Sequence, residues 1–72
     1  MTEQKLTEGQ WRVGIRFNPS GNFDVERIKT KAAELIDLID ETGKDGRCTA
    51  LAMNAFEDGA MWAVKSVTKV PR

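Results

Sequence analysis

Arg16, Lys29 and Lys65 are the residues of this chain whose types suit a definite chemistry, and that chemistry is anion binding. A guanidinium grips two phosphate oxygens with parallel N–H donors, and an ammonium supplies a compact positive charge. Phe17 follows Arg16, and Trp62 stands three residues before Lys65, so aromatic faces able to stack on a base accompany two of the three cations. Asn18 and Ser20 add polar side chains beside Phe17. Each also has a plainer role open to it: Asn18 and Ser20 suit any turn, Phe17 and Trp62 suit a core, and either lysine alone suits a solvated surface. Only their convergence would make a site.

Few residues could instead carry out catalysis. There is no histidine, no tyrosine and a single cysteine, so the commonest general bases and nucleophiles are missing. Asp37 with Glu41 and Glu57 with Asp58 form carboxylate pairs, but both fall where helix surfaces are expected and read as solvated faces. Cys48 reads as a small packing residue; alone it makes no intrachain disulfide, and without histidine no zinc set can form. A binding protein is therefore expected, not an enzyme, with no metal and no cofactor.

The apolar pattern supplies the elements that would gather the cations. Val25, Ile28, Ala32, Leu35 and Ile39 recur at alternating steps of three and four, which predicts a helix over 23–42 with this stripe facing a partner. Asn22 suits the N-cap, Asp24 and Glu26 suit the first turn, and Gly43 suits the C′ position. A tight connection, Gly43 to Gly46, leads to a second helix over 47–68, which Pro71 would soon prevent from continuing. One face of this helix carries Met53, Phe56, Ala60, Val64 and Val67; a neighbouring face carries Cys48, Ala52, Ala55, Gly59, Trp62 and Ser66. Gly59 in a helix interior costs about 1 kcal/mol relative to alanine, so tight helix packing or close approach of a ligand is expected there. Residues 1–22 form an arm and loop: 1–13 a short helix or an extended arm, and Gly14 to Asn22 an ordered loop marked by Asn18-Pro19 and Ser20-Gly21-Asn22.

An antiparallel hairpin of these helices sorts the charges. Trp11 to Lys31 carries a net +3, Lys65 to Arg72 another +3, and Glu34 to Asp58 a net −5, in a chain of net charge zero. The cationic segments meet at the open end, where the start of the first helix would add free backbone N–H groups as an anion cradle. The loop is not a phosphate-binding P-loop, since it lacks the Gly-Lys-Ser/Thr ending and a preceding strand.

Seventy-two residues make one domain, 1–72, of all-α class: an antiparallel two-helix hairpin with a short N-terminal arm or helix. So small a chain buries a small share of its surface. Two helices cannot cover apolar residues on several faces of each, so Ile36, Leu38, Leu51, Met61 and Trp62 call for the arm or for other protomers, and a homo-oligomer is expected. No stretch nears the roughly 20 apolar residues of a membrane span and the start is polar, which points to a cytosolic protein. Neutrality argues against duplex nucleic acid as a partner.

Several segments together resemble a known family. Gly14-Ile15-Arg16, Val25, Ile28-Lys29, Ala32-Ala33-Glu34-Leu35, Arg47, Ala50-Leu51-Ala52 and the stretch from Gly59 to Lys69 are similar to the helical-hairpin sponge proteins of bacteriophages. These are the second anti-CBASS protein family, grouped with the Thoeris anti-defence hairpin domain. The likeness runs from about Val13 to Lys69. It implies a non-enzymatic protein in the cytoplasm of the infected bacterial host, commonly a hexamer, that sequesters cyclic di- and trinucleotides and so silences immune signalling. Lys29 matches the lysine of the family's isoleucine–lysine pair. Ile15 stands where the family has an aromatic residue, leaving Phe17 to take over stacking, and Lys65 stands where it has an arginine, which keeps the charge and loses the fork.

Residues and resemblance together give the site as Arg16, Phe17, Asn18, Ser20, Lys29, Trp62 and Lys65, with a cyclic nucleotide as its ligand. The alternative is a helical adaptor or inhibitor that docks on another protein through Trp62, Met61 and Leu51, with the cations dispensable. In either case Leu35→Asp and Phe56→Asp are expected to disrupt the fold, and charge removal at Lys29 or Lys65 to spare it.

Overall fold

The computed structural model describes residues 5–70. Among them are three α-helices and no strand: α1 (Glu8–Val13), α2 (Phe23–Thr42) and α3 (Gly46–Thr68). The first four residues, Pro71 and Arg72 lie outside the described residues, and with them the start of the arm, the helix-stopping role given to Pro71 and one cation of the C-terminal segment.

Local chemistry explains each helix end. The Asn22 carboxamide accepts the Asp24 and Val25 N–H groups at 2.7 and 3.3 Å and starts α2. Asp45 starts α3 by accepting the Cys48 N–H at 2.7 Å. That hydrogen bond holds the Asp45 carboxyl below its ordinary pKa, so the cap is in force above the usual aspartate range and is lost as pH falls through the lowered value. α1 has a capping box, in which Thr7 accepts the Gln10 N–H while the Gln10 side chain accepts the Thr7 N–H. Gly43 is not in the left-handed conformation expected of a C′ residue; its backbone is extended, and it is small because a Cβ would collide with the Thr49 hydroxyl.

α2 and α3 form the hairpin, and α1 packs mainly on α2 while also touching α3. The fold is flat, 13 Å across its thinnest dimension. The core is Val25, Ala33, Ile36, Met53 and Ala60, with Ile36 fully buried.

This corrects the expected stripe. Among Val25, Ile28, Ala32, Leu35 and Ile39 only Val25 is buried; the buried line of α2 is Val25, Lys29, Ala33 and Ile36, displaced by one residue. The cause is α1, which covers a flank that a two-helix hairpin would leave open. Ile36 therefore needs no second protomer, whereas Leu38, Leu51, Met61 and Trp62 remain exposed. On α3, Met53 and Ala60 are buried while Phe56 and Val67 stay partly exposed. Leu35 is 37% exposed and Phe56 44%, so an aspartate at either is solvated and is no longer expected to break the fold.

The seating of α1 depends on Gly9. A Cβ there would land on the Ala33 carbonyl oxygen and lie 2.8 Å from the Ala33 Cα, and the Gly9 N–H donates to Asp37 at 2.7 Å. Gly9→Ala should push α1 off α2 and cost about 2 kcal/mol, read as a lowered thermal midpoint. Arg12 fastens α1 to α3 by donating to Asn54 at 2.8 Å and Glu57 at 3.0 Å, and it also pairs with Glu8 at 2.8 Å. Desolvation opposes its charge, but the two carboxylates outweigh it and hold the guanidinium pKa above its ordinary value.

Candidate functional site at the open end of the hairpin

The open end is built around Gly14. Its left-handed backbone, φ 62°, ends α1 and turns the chain so that its carbonyl points at α2. There the Lys29 ammonium donates to the Gly14 carbonyl at 2.9 Å and also to the Phe17 carbonyl. Lys29 is 8% exposed, the one buried charged residue among those described. Its partners are neutral carbonyls, and no ion pair among the described residues includes it. Two of its three N–H donors are spent on these carbonyls, and no described carboxylate compensates the positive charge.

A groove of about 240 Å³ opens beside this ammonium. Phe17, Asn18, Pro19 and Ser20 form its loop wall; Val25 and Lys29 come from α2, Val64 and Thr68 from α3. The Phe17 ring is 70% exposed and its centroid lies 5.6 Å from the Lys29 Nζ, so an aromatic face and a buried cation share one cleft. Lys29 and Val64 also line a second cavity, with Val13, Ala60 and Met61, which places the ammonium at the junction of the two.

The expected site residues divide into two groups. Phe17, Asn18, Ser20 and Lys29 line the groove together. Asn18 and Ser20 are occupied in holding the loop: the Asn18 amide donates to the Asn22 carbonyl at 3.0 Å, the Ser20 hydroxyl donates to Asn18 at 2.8 Å, and the Asn22 N–H donates back to Ser20 at 3.2 Å. Arg16 is exposed on the same loop and has interactions of its own. Trp62 and Lys65 do not line the groove; they form a separate exposed stack on α3, with the ammonium 4.8 Å from the indole centroid.

The free N–H cradle expected at the start of the first helix is corrected. Asn22 itself takes the Asp24 and Val25 N–H groups, and its carbonyl accepts from Glu26. The sequence pattern missed Val25 and Val64 as groove walls because both fit core stripes; their signal was spacing, with Val25 four residues before Lys29 and Val64 next to Lys65. It also missed that Lys29 holds the loop, so removing Lys29 cannot leave the local structure intact.

No curated protein and no solved structure shows a significant match to the chain. The family described as Acb2/Tad1, hairpin domain, matches residues 8–68, which takes in all three helices and the loop that carries the groove. The chain belongs to the Acb2/Tad1 hairpin-domain family, the one its sequence resembles.

Proposed function

We propose that this protein is a phage anti-defence sponge that binds cyclic di- and trinucleotide second messengers without cleaving them, and so blocks CBASS-type signalling in the cytoplasm of the infected bacterium. The observation that carries this is the buried Lys29 ammonium, which has no counter-ion among the described residues and borders a groove with an exposed aromatic wall. A phosphate would supply the missing negative charge, and a base can lie on Phe17. Membership of the family supports the ligand class.

The working form is a homo-oligomer, in this proposal a hexamer. Symmetry suits a cyclic ligand, because pockets at a two-fold or three-fold interface present the same cation to each phosphate. Lys65 can then act on a ligand held mainly by another copy, which fits its place outside the groove. Lys65→Ala should weaken binding about two- to fivefold, more at low salt than at high salt, since an exposed charge contributes little and is screened.

Isothermal titration with a panel of cyclic di- and trinucleotides, followed by chromatography of the recovered ligand, tests the proposal. Saturable binding with intact ligand recovered is expected. Cleaved ligand would show a nuclease, and no heat with any member of the panel would transfer the role to protein docking through Trp62, Met61 and Leu51.

A further inference from the structure

We propose that Arg12 is a positioning residue for the anion site, acting through the two carbonyls that hold Lys29. This deepens the proposed function and rests on its groove and ligand class. Arg12 lines neither the groove nor the second cavity, and its charge is already matched by Glu8 and Glu57, so it takes no direct part in gripping a phosphate. Its work is to seat α1. Six residues are too few for a helix to persist by itself. Arg12 ties α1 to α3 at Asn54 and Glu57, while Asp37 ties its first turn to α2.

The end of α1 carries the acceptors of Lys29. Arg12 stands two residues before Gly14, whose N–H donates back to the Trp11 carbonyl at 3.2 Å; the Ile15 N–H donates back to Gln10 at 3.0 Å. The Gly14 carbonyl then accepts twice, from the Phe17 N–H at 2.9 Å and from the Lys29 ammonium at 2.9 Å. Phe17, whose carbonyl is the other Lys29 acceptor and which walls the groove, is thereby fixed to the same helix end. Loosening α1 therefore moves both acceptors and the aromatic wall together, and Lys29 loses its fixed place in the groove. Apparent affinity falls in proportion to the fraction of molecules with α1 docked, because only these present the assembled site.

The sign of one substitution separates positioning from plain electrostatics. Glu57→Ala raises the net charge, which is zero in the parent, by one unit and by charge alone would favour an anionic ligand. If Glu57 serves to hold Arg12, and Arg12 to hold α1, Glu57→Ala must instead weaken binding.

Glu57→Ala and Arg12→Met are compared with the parent by titration with the tightest-binding member of the cyclic nucleotide panel, and by amide exchange without ligand. Both variants should bind about three- to tenfold more weakly. In a Lys29→Met background Arg12→Met should cost less than about twofold more, since both changes act on one ammonium. Without ligand, the Ile15 and Phe17 amides of both variants should exchange at least about tenfold faster while Ile36 keeps its protection. Unchanged or tighter binding by Glu57→Ala, full additivity with Lys29→Met, or unchanged exchange at Ile15 and Phe17 would each overturn the positioning role. Lost protection at Ile36 in Arg12→Met would mark global unfolding, and Glu57→Ala then decides. If no nucleotide binds the parent, the sponge reading fails, and the exchange result alone decides whether Arg12 sets the loop.

Discussion

Ile36→Asp is expected to leave the protein largely unfolded at 25 °C, with its far-ultraviolet helical signal lost. Ile36 is fully buried on α2, the helix that both α1 and α3 pack against, so a carboxylate there has neither water nor a partner. An uncompensated buried charge costs more than about 4 kcal/mol, and a domain this small has little more than that to lose. Leu35→Asp, one residue away, is the informative control. Its side chain reaches solvent, and a loss of about 1 kcal/mol is expected, read as a modest shift in urea midpoint. Equal damage from both would mean that the buried line of α2 is not Val25, Lys29, Ala33 and Ile36.

The second large effect is at Lys29. Lys29→Met keeps most of the aliphatic stem and removes the ammonium, and binding of the preferred cyclic nucleotide should weaken at least about 100-fold, the scale for losing one partner of a desolvated charge pair. A second loss comes with it, because the Gly14 and Phe17 carbonyls give up their donor and the loop is freed. Stability should fall by about 1 to 3 kcal/mol with the three helices retained. Measuring melting and titration on the same sample separates the two losses: at temperatures where the variant is fully folded, the binding deficit must persist. Binding within a few-fold of the parent would remove Lys29, and the groove with it, from the function.

These two positions also show what kind of information each level of structure holds. Helix spans and the Asn22 cap of α2 were legible because they are set by neighbours in sequence, and alternating steps of three and four mark both bodies; Asp45, which caps α3, was not singled out although its signal is as local. The capping box of Thr7 with Gln10 was equally local, and it marks the short α1 that composition alone left between helix and arm. The rotation of α2 was not legible. Periodicity shows that a helix has an apolar face, but here one flank is taken by α1, seated where Gly9 removes a side chain and Ala33 offers bare backbone. That contact joins residues 24 apart and turns Ile36 inward and Leu35 outward.

The candidate site divides along the same line. Its ingredients, cations and aromatic residues at an open end between acidic stretches, were determined by the sequence alone, because charge segregation needs only the order of the residues and a hairpin. Tertiary structure decided which of them share a cleft. Lys29 was one of several cations in the sequence; folding buried it, gave two of its donors to loop carbonyls and set no described carboxylate beside it, while Lys65 went to the surface with Trp62. Burial is a property of the neighbours a residue acquires from distant parts of the chain, and it is burial, not residue type, that gives one ammonium among many its pull on an anion.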